Sequence, residues 1–317
     1  MTYLKNPLVI ITGPTAVGKT ALSVKLAHKI GGEIISADSM QVYKDMNIGS
    51  AKIKKEEMQG IPHHLIDVLN PDEDFNVYTF QQMAKKSLTE IYKNGHIPIA
   101  TGGTGFYIQA LLYDVAFEKE EETTHVREKL EALAEEKGNT YLHELLRKKD
   151  PVSADEIHEN NVKRIIRALE FYELNGFPIS LHNKEQREKE SPYNFCYFVL
   201  NDEREKLYRR IDERVDMMLT EGLIEEVKQL KNMGYHKDMV SMQGLGYKEI
   251  LAYLQGDITL DEAVYLIKRD TRHFAKRQLT WFRRERDVTW LNKPQFSYDE
   301  DKMLAFMTDM LRKKGIL

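Results

Sequence analysis

Leu8-Val9-Ile10-Ile11-Thr12-Gly13-Pro14-Thr15-Ala16-Val17-Gly18-Lys19-Thr20 runs an apolar strand into a glycine-bounded loop and then into a helix-forming segment. The loop fits G-x-x-x-x-G-K-[ST], and a strand before it with a helix after it is the context that gives this pattern its meaning. The two glycines let the backbone turn so that its N–H groups converge on phosphate oxygens, and the positive end of the following helix adds to that field. Lys19 supplies a full charge and Thr20 a hydroxyl suited to Mg²⁺. Gly13, Pro14, Thr15, Ala16, Val17, Gly18, Lys19 and Thr20 are therefore expected to hold a di- or triphosphate group.

Outward from this loop, strand-like and helix-like segments alternate. A helix is expected over residues 19–30, a strand at Glu33-Ile34-Ile35-Ser36-Ala37 ending in Asp38, and a third strand at Leu65-Ile66-Asp67-Val68. A helix over 78–92 and a strand at Ile97-Pro98-Ile99-Ala100 follow, the strand ending in Gly102-Gly103-Thr104-Gly105. This alternation implies βαβ units and a parallel sheet. Ligands of such sheets bind at the carboxyl ends of the strands, where Asp38, Thr104 and the phosphate loop all fall. The expected fold is a P-loop NTPase-like α/β parallel sheet flanked by helices, with a mostly helical insertion domain. The first core segment covers 1–117, the insertion 118–190 and the second, mostly helical core segment 191–317, opening with a strand at 194–200. Its helices are expected at 203–219, 224–232, 247–254 and from 260 to about 286.

The 317 residues carry 42% hydrophobic side chains, enough for a sizeable core, and neither Gly nor Pro is in excess. The single cysteine, Cys196, excludes a disulfide framework and reads as a buried strand thiol. No signal peptide and no apolar run long enough to span a membrane are present, so the cytoplasm is expected. The net charge of −4 on its face argues against a nucleic-acid binder. That sum hides a separation: residues 118–136 carry a net −5 and residues 268–287 a net +5. Helical spacing puts Arg269, His273, Arg277 and Arg284 on one face, and such a stripe is either simply solvated or neutralises phosphates of RNA. His63-His64 with Asp67 is read as a structural turn, because adjacent histidines point to different sides. No Asn-Lys-x-Asp follows the loop, which excludes a GTPase switch, whereas an ATP-dependent small-molecule kinase stays open on the loop alone.

Further blocks carry a specific resemblance. They are Ile35-Ser36-Ala37-Asp38-Ser39-Met40-Gln41-Val42-Tyr43, Asn47-Ile48-Gly49-Ser50-Ala51-Lys52, His63-His64-Leu65-Ile66-Asp67 and Gly102-Gly103-Thr104-Gly105-Phe106-Tyr107. Lys163-Arg164-Ile165-Ile166-Arg167-Ala168-Leu169-Glu170, Gly246-Tyr247-Lys248-Glu249 and Ala275-Lys276-Arg277-Gln278-Leu279-Thr280-Trp281-Phe282-Arg283 complete the set. Together, in this order and over residues 10–285, they resemble the tRNA dimethylallyltransferases (tRNA isopentenyltransferases) of bacterial type. Departures are small: Ser50 where Thr is usual, and Ile53 where Pro often follows the lysine.

The resemblance implies transfer of a dimethylallyl group from dimethylallyl diphosphate to the exocyclic amine of the adenosine 3′-adjacent to the tRNA anticodon. The phosphate loop would then hold the diphosphate leaving group, with Mg²⁺ partly on Thr20. Asp38 would act as general base on the amine proton; taken alone it is an N-cap or turn aspartate. Gln41 has the donor–acceptor pair to read an adenine edge. Thr104 would bond the bridging oxygen of the diphosphate, and otherwise caps the next helix. Arg214, read from its surroundings only as a surface charge, matches a family arginine on the diphosphate. The resemblance places Asp38, Ser39, Met40, Gln41, Thr104, Arg127, Lys163, Arg164, Ile165, Ile166, Arg167 and Arg277 at the tRNA anticodon arm, with the adenosine drawn out of its stack and the insertion closing over it. A monomer is the expected state. A P-loop small-molecule kinase and a non-catalytic RNA-binding protein are the alternatives.

Overall fold

A computed structural model describes residues 5–117 and 125–317. Its elements, in chain order, are β1 (Pro7–Thr12), α1 (Lys19–Ile30), β2 (Gly32–Ser36), α2 (Lys55–Met58), β3 (His63–His64), α3 (Val77–Lys93), β4 (Ile97–Gly102) and α4 (Gly105–Leu112). Then come α5 (His125–Lys149), α6 (Pro151–Glu156), α7 (Val162–Asn175) and α8 (Ile179–Glu188). The chain continues with β5 (Asn194–Asn201), α9 (Arg204–Glu221), α10 (Leu223–Asn232), α11 (Tyr247–Gln255), α12 (Leu260–Phe282), β6 (Val288–Asn292) and α13 (Glu300–Lys313).

The chain divides into two compact units, one holding Met1–Leu112 with Pro192–Leu317 and the other Tyr113–Ser191. The larger unit carries a six-stranded, wholly parallel sheet in the order β3-β2-β4-β1-β5-β6. Helices cover both faces, so strands such as Leu8-Val9-Ile10-Ile11 are buried on each side and read as continuous rather than alternating apolar runs. β1 lies between β4 and β5, at the point where the connections change direction, and its carboxyl end opens into the glycine loop. Thr12 Oγ1 donates to Gly102 O at 2.7 Å and ties the ends of β1 and β4 together.

The smaller unit is helical. Its core gathers Leu142, Leu146, Ile165 and Leu169. The turns follow the sequence punctuation: α5 breaks at Gly138 (φ 81), Asp150 caps α6 with Pro151 at its first position, and Gly176 (φ 76) ends α7. The acidic run of 118–136 and the boundary expected at 117/118 fall partly on 118–124, outside the described residues.

Two expectations fail. The third strand is His63–His64, not 65–68, because Leu65 (φ 63) and Asp67 (φ 55) adopt left-handed conformations that a strand excludes. The last helix of the basic run stops at Phe282, and the chain then enters β6 instead of continuing to about 286. Cys196 is the buried strand thiol expected, and burial pushes its pKa up to about 11.

Candidate active site

The glycine loop is pressed against the neighbouring strand. At Gly13 (φ 145) a Cβ would lie 2.4 Å from Leu200 O on β5, so only glycine fits. The helix that follows is capped by Gly18, with no side chain on its first amides, which are left for an anion. Lys19 is folded back on its own loop, donating to Gly13 O at 3.0 Å and Pro14 O at 2.9 Å. Burial lowers its pKa to about 8; the Asp38 carboxylate opposes that shift and the Arg214 guanidinium adds to it.

A cavity of about 530 Å³ opens at this end of the sheet, lined by Thr15, Lys19, Thr20, Asp38, Thr104 and Arg214 among others. Asp38 follows β2, and its Oδ1 accepts from Met40 N at 2.8 Å and Gln41 N at 3.4 Å. This turn fixes the carboxylate, while Oδ2 accepts no hydrogen bond from the described residues. Thr104 is held through its backbone, its N–H on Ala37 O at 3.3 Å, and its hydroxyl makes no hydrogen bond with the described residues. Arg214 projects from α9, half-buried, with its pKa lowered by burial and by Arg210. Apolar walls from Ile34, Ile53, Phe75, Tyr107 and Phe274 complete the cavity. Ser39, Met40, Gln41 and Arg277 line it as well, with Gln41 Nε2 donating to Ala51 O at 3.3 Å and Arg277 standing over the Phe274 ring at 5.7 Å.

Three supporting residues have roles that the sequence did not assign. Gln278 on α12 is 6% exposed; its Oε1 accepts from Thr15 N at 2.8 Å and its Nε2 donates to Gly103 O at 2.9 Å. One amide therefore sets the spacing between the phosphate loop and the Gly102-Gly103-Thr104 turn. A polar residue four positions from Phe274 and from Phe282, on the apolar side of the helix, was the available signal. Glu226 on α10 accepts from Asn47 N (2.9 Å), Ile48 N (2.7 Å), Gly49 N (3.1 Å) and Tyr247 Oη (2.8 Å), clamping the loop behind Asp38. Lys52 Nζ braces the same loop on Tyr43 O at 2.6 Å and Asp67 at 2.5 Å.

The basic stripe on α12 is only partly available. Lys268 pairs with Asp216 (2.6 Å), Arg269 with Asp270 (2.7 Å) and Arg272 with Asp212 (2.5 Å). Arg284 lies beyond the helix end and does not share its face, while Lys276 and Arg277 are exposed. In the helical unit Lys163, Arg164 and Arg167 are exposed on α7, whereas Ile165 and Ile166 are buried in that unit's core. The side chains of these isoleucines cannot meet an RNA; they hold the helix that carries the basic residues. Arg127 makes a two-pronged contact with Glu170, at 3.1 and 2.5 Å. His63 and His64 belong to separate contacts, on Ile61 O (2.8 Å) and on Glu33 (2.7 Å), and no group of three metal-ligating side chains occurs among the described residues.

Comparison with known proteins decides the family. A model described as IPP transferase matches residues 41–285, and one described as isopentenyl transferase matches residues 6–70. The chain belongs to the IPP transferase family. The tRNA dimethylallyltransferase of Lachnoclostridium phytofermentans is 58% identical over 98% of this chain and 99% of its own length. Among solved structures, the tRNA isopentenylpyrophosphate transferase of Bacillus halodurans is 45% identical, with 98% of both chains covered and a TM-score of 0.74. A eukaryotic dimethylallyltransferase, determined acting on tRNA, is 30% identical over 97% of this chain and 80% of that one, with a TM-score of 0.83. No described helix is long and apolar enough to cross a membrane.

Proposed function

We propose that this member of the family transfers a dimethylallyl group from dimethylallyl diphosphate to the exocyclic amine of the adenosine 3′-adjacent to the tRNA anticodon, releasing diphosphate. The observation that carries the reading is one cavity lined by the glycine loop, by Lys19 and Arg214, and by a carboxylate with an unengaged oxygen. In the transfer the C–O bond to the diphosphate breaks as the N–C bond to the amine forms. Lys19, Arg214 and the amides at the start of α1 stabilise the charge developing on the departing oxygens, a contribution that grows as water is excluded. Thr104 offers its hydroxyl to the bridging oxygen. Asp38 takes the amine proton on Oδ2, held in place by the Met40 and Gln41 amides.

The donor set suits Mg²⁺. Thr20 Oγ1, a hard oxygen donor, makes no hydrogen bond with the described residues, and no group of three His, Cys, Asp or Glu side chains that could hold another metal occurs among them. Bound there with the diphosphate, Mg²⁺ supplies further neutralisation of the leaving group. Gln41, Ser39 and Met40 face the target base, and Arg277, Lys163, Arg164, Arg167 and Arg127 serve the backbone of the anticodon arm. The protein works as a cytoplasmic monomer in this reading.

The test is direct: incubate the protein with Mg²⁺, dimethylallyl diphosphate and an anticodon stem-loop, and weigh the RNA. A gain of one isoprenoid unit is expected. Turnover of ATP on a small molecule without that gain, or RNA binding with neither, would overturn the proposal.

A further inference from the structure

Beyond β6 the chain enters a short 3₁₀ turn, Lys293–Phe296, whose first residue is out of place on charge grounds. Lys293 is 9% exposed, yet its ammonium forms no hydrogen bond or ion pair with any described residue. A Cβ built on Gly18 would lie 3.0 Å from Lys293 Nζ, so the ammonium rests against the backbone of the residue that caps α1. The carboxylates it feels are already engaged. Asp202 is paired with Arg210 and also accepts from Glu203 N (2.7 Å) and Tyr298 Oη (3.2 Å). Glu300 holds Lys25 at 2.5 Å. Burial and the neighbouring Arg210 accordingly lower the Lys293 pKa. Arg210 Nε is itself buried without a partner. The Lys293 side chain is thus largely covered while its ammonium has no counter-charge among the described residues, and a bound anion would supply one.

We infer that Lys293 is a positioning residue for the diphosphate: it sets a positive charge behind the phosphate loop and acts across Gly18 on the anion that the loop amides and Lys19 contact. This rests on the diphosphate reading above. Lys19 and Arg214 face the anion from the cavity and Lys293 stands outside it, so the loop is charged on both sides. Because Lys293 Nζ lies directly against the Gly18 backbone, its charge acts at short range on an anion held by the loop amides, where the Coulomb interaction is strongest.

Calorimetric titration of the full chain with inorganic diphosphate and Mg²⁺ tests it, using the parent, Lys293→Met and Lys293→Arg, with Lys293→Gln guarding against a packing defect peculiar to methionine. The uncharged variants should bind diphosphate about tenfold more weakly, and arginine should restore most of the loss. Their melting temperature without ligand should match or exceed the parent's, since an uncompensated charge has been removed, and stem-loop RNA should bind unchanged. Diphosphate affinity within twofold of the parent in both uncharged variants would overturn the role of Lys293 while leaving the diphosphate reading intact. Equal loss of diphosphate and RNA affinity would make the residue structural and overturn the inference too. A parent that binds no diphosphate would overturn both.

Discussion

At Asp38, a residue that lines the cavity, one oxygen is committed to the turn and the other is unengaged, so one carboxylate builds the loop and, in the proposed reaction, would take the amine proton. Asp38→Asn retains an acceptor for the Met40 and Gln41 amides and loses only the base. It should lower kcat by about 10²- to 10⁴-fold, the usual contribution of a general base. Stem-loop affinity, measured by titration, should stay within about twofold. A variant with parental turnover would remove Asp38 from the chemistry. Lys19 differs in kind, because its ammonium already has partners in Gly13 O and Pro14 O. An arriving phosphate must draw it away from those carbonyls, and its lowered pKa should rise as it does so.

Among the elements, α12 does more than cover the sheet. Gln278→Leu keeps the bulk of the side chain but leaves Thr15 N and Gly103 O without their partner, at about 1–3 kcal/mol each. The melting temperature should fall and KM for the prenyl donor should rise several-fold, with RNA affinity little changed; steady-state kinetics and a thermal melt check this together. The distinction between residues that touch ligand and residues that set their spacing also explains what the sequence revealed. Contiguous motifs were readable: strand, loop and helix around residues 13–20, Asp38 at the end of β2, Thr104 after β4. The roles of Glu226 and Lys293 were not, because each acts on a loop far away in the chain and adjacency created only by folding leaves no local pattern; Gln278 left a polar residue on the apolar side of α12, a signal that names no partner. β6 was missed for a related reason. Its five residues have a single fully buried side chain, Leu291, and the helix-compatible arginines 283, 284 and 286 hide the stop that Asp287 makes with φ 57. At β3 the apolar run 65–68 looked like a strand because composition carries no record of the left-handed turns at Leu65 and Asp67.

For the molecule as a whole, a buried carboxylate at the end of the sheet remote from the cavity couples stability to pH. Glu33, buried at the start of β2, accepts from His96 Nδ1 (2.6 Å), His64 Nε2 (2.7 Å) and Asn94 Nδ2 (3.2 Å). Burial alone would raise its pKa, but these bonds outweigh burial and hold it below the ordinary glutamate value. A carboxylate depressed by folding stabilises the native state above its unfolded pKa, and that contribution disappears as the pH falls through the folded one. Glu33→Gln should therefore cost about 1–3 kcal/mol near neutrality, and parent and variant should converge at acid pH. Denaturant melts at a series of pH values measure the gap; one that is constant with pH would contradict the assignment. The Gln278 strut has its own consequence at this scale. Thr15 and Gln278 are 263 positions apart, so during synthesis the phosphate loop emerges first and the amide that gauges it emerges almost last. A nascent or prematurely terminated chain ending near residue 250 would display every motif residue of the loop, Asp38 and Thr104, yet lack the register between them. Such a fragment should be silent rather than half-active, and should bind inorganic diphosphate more weakly than the full chain does.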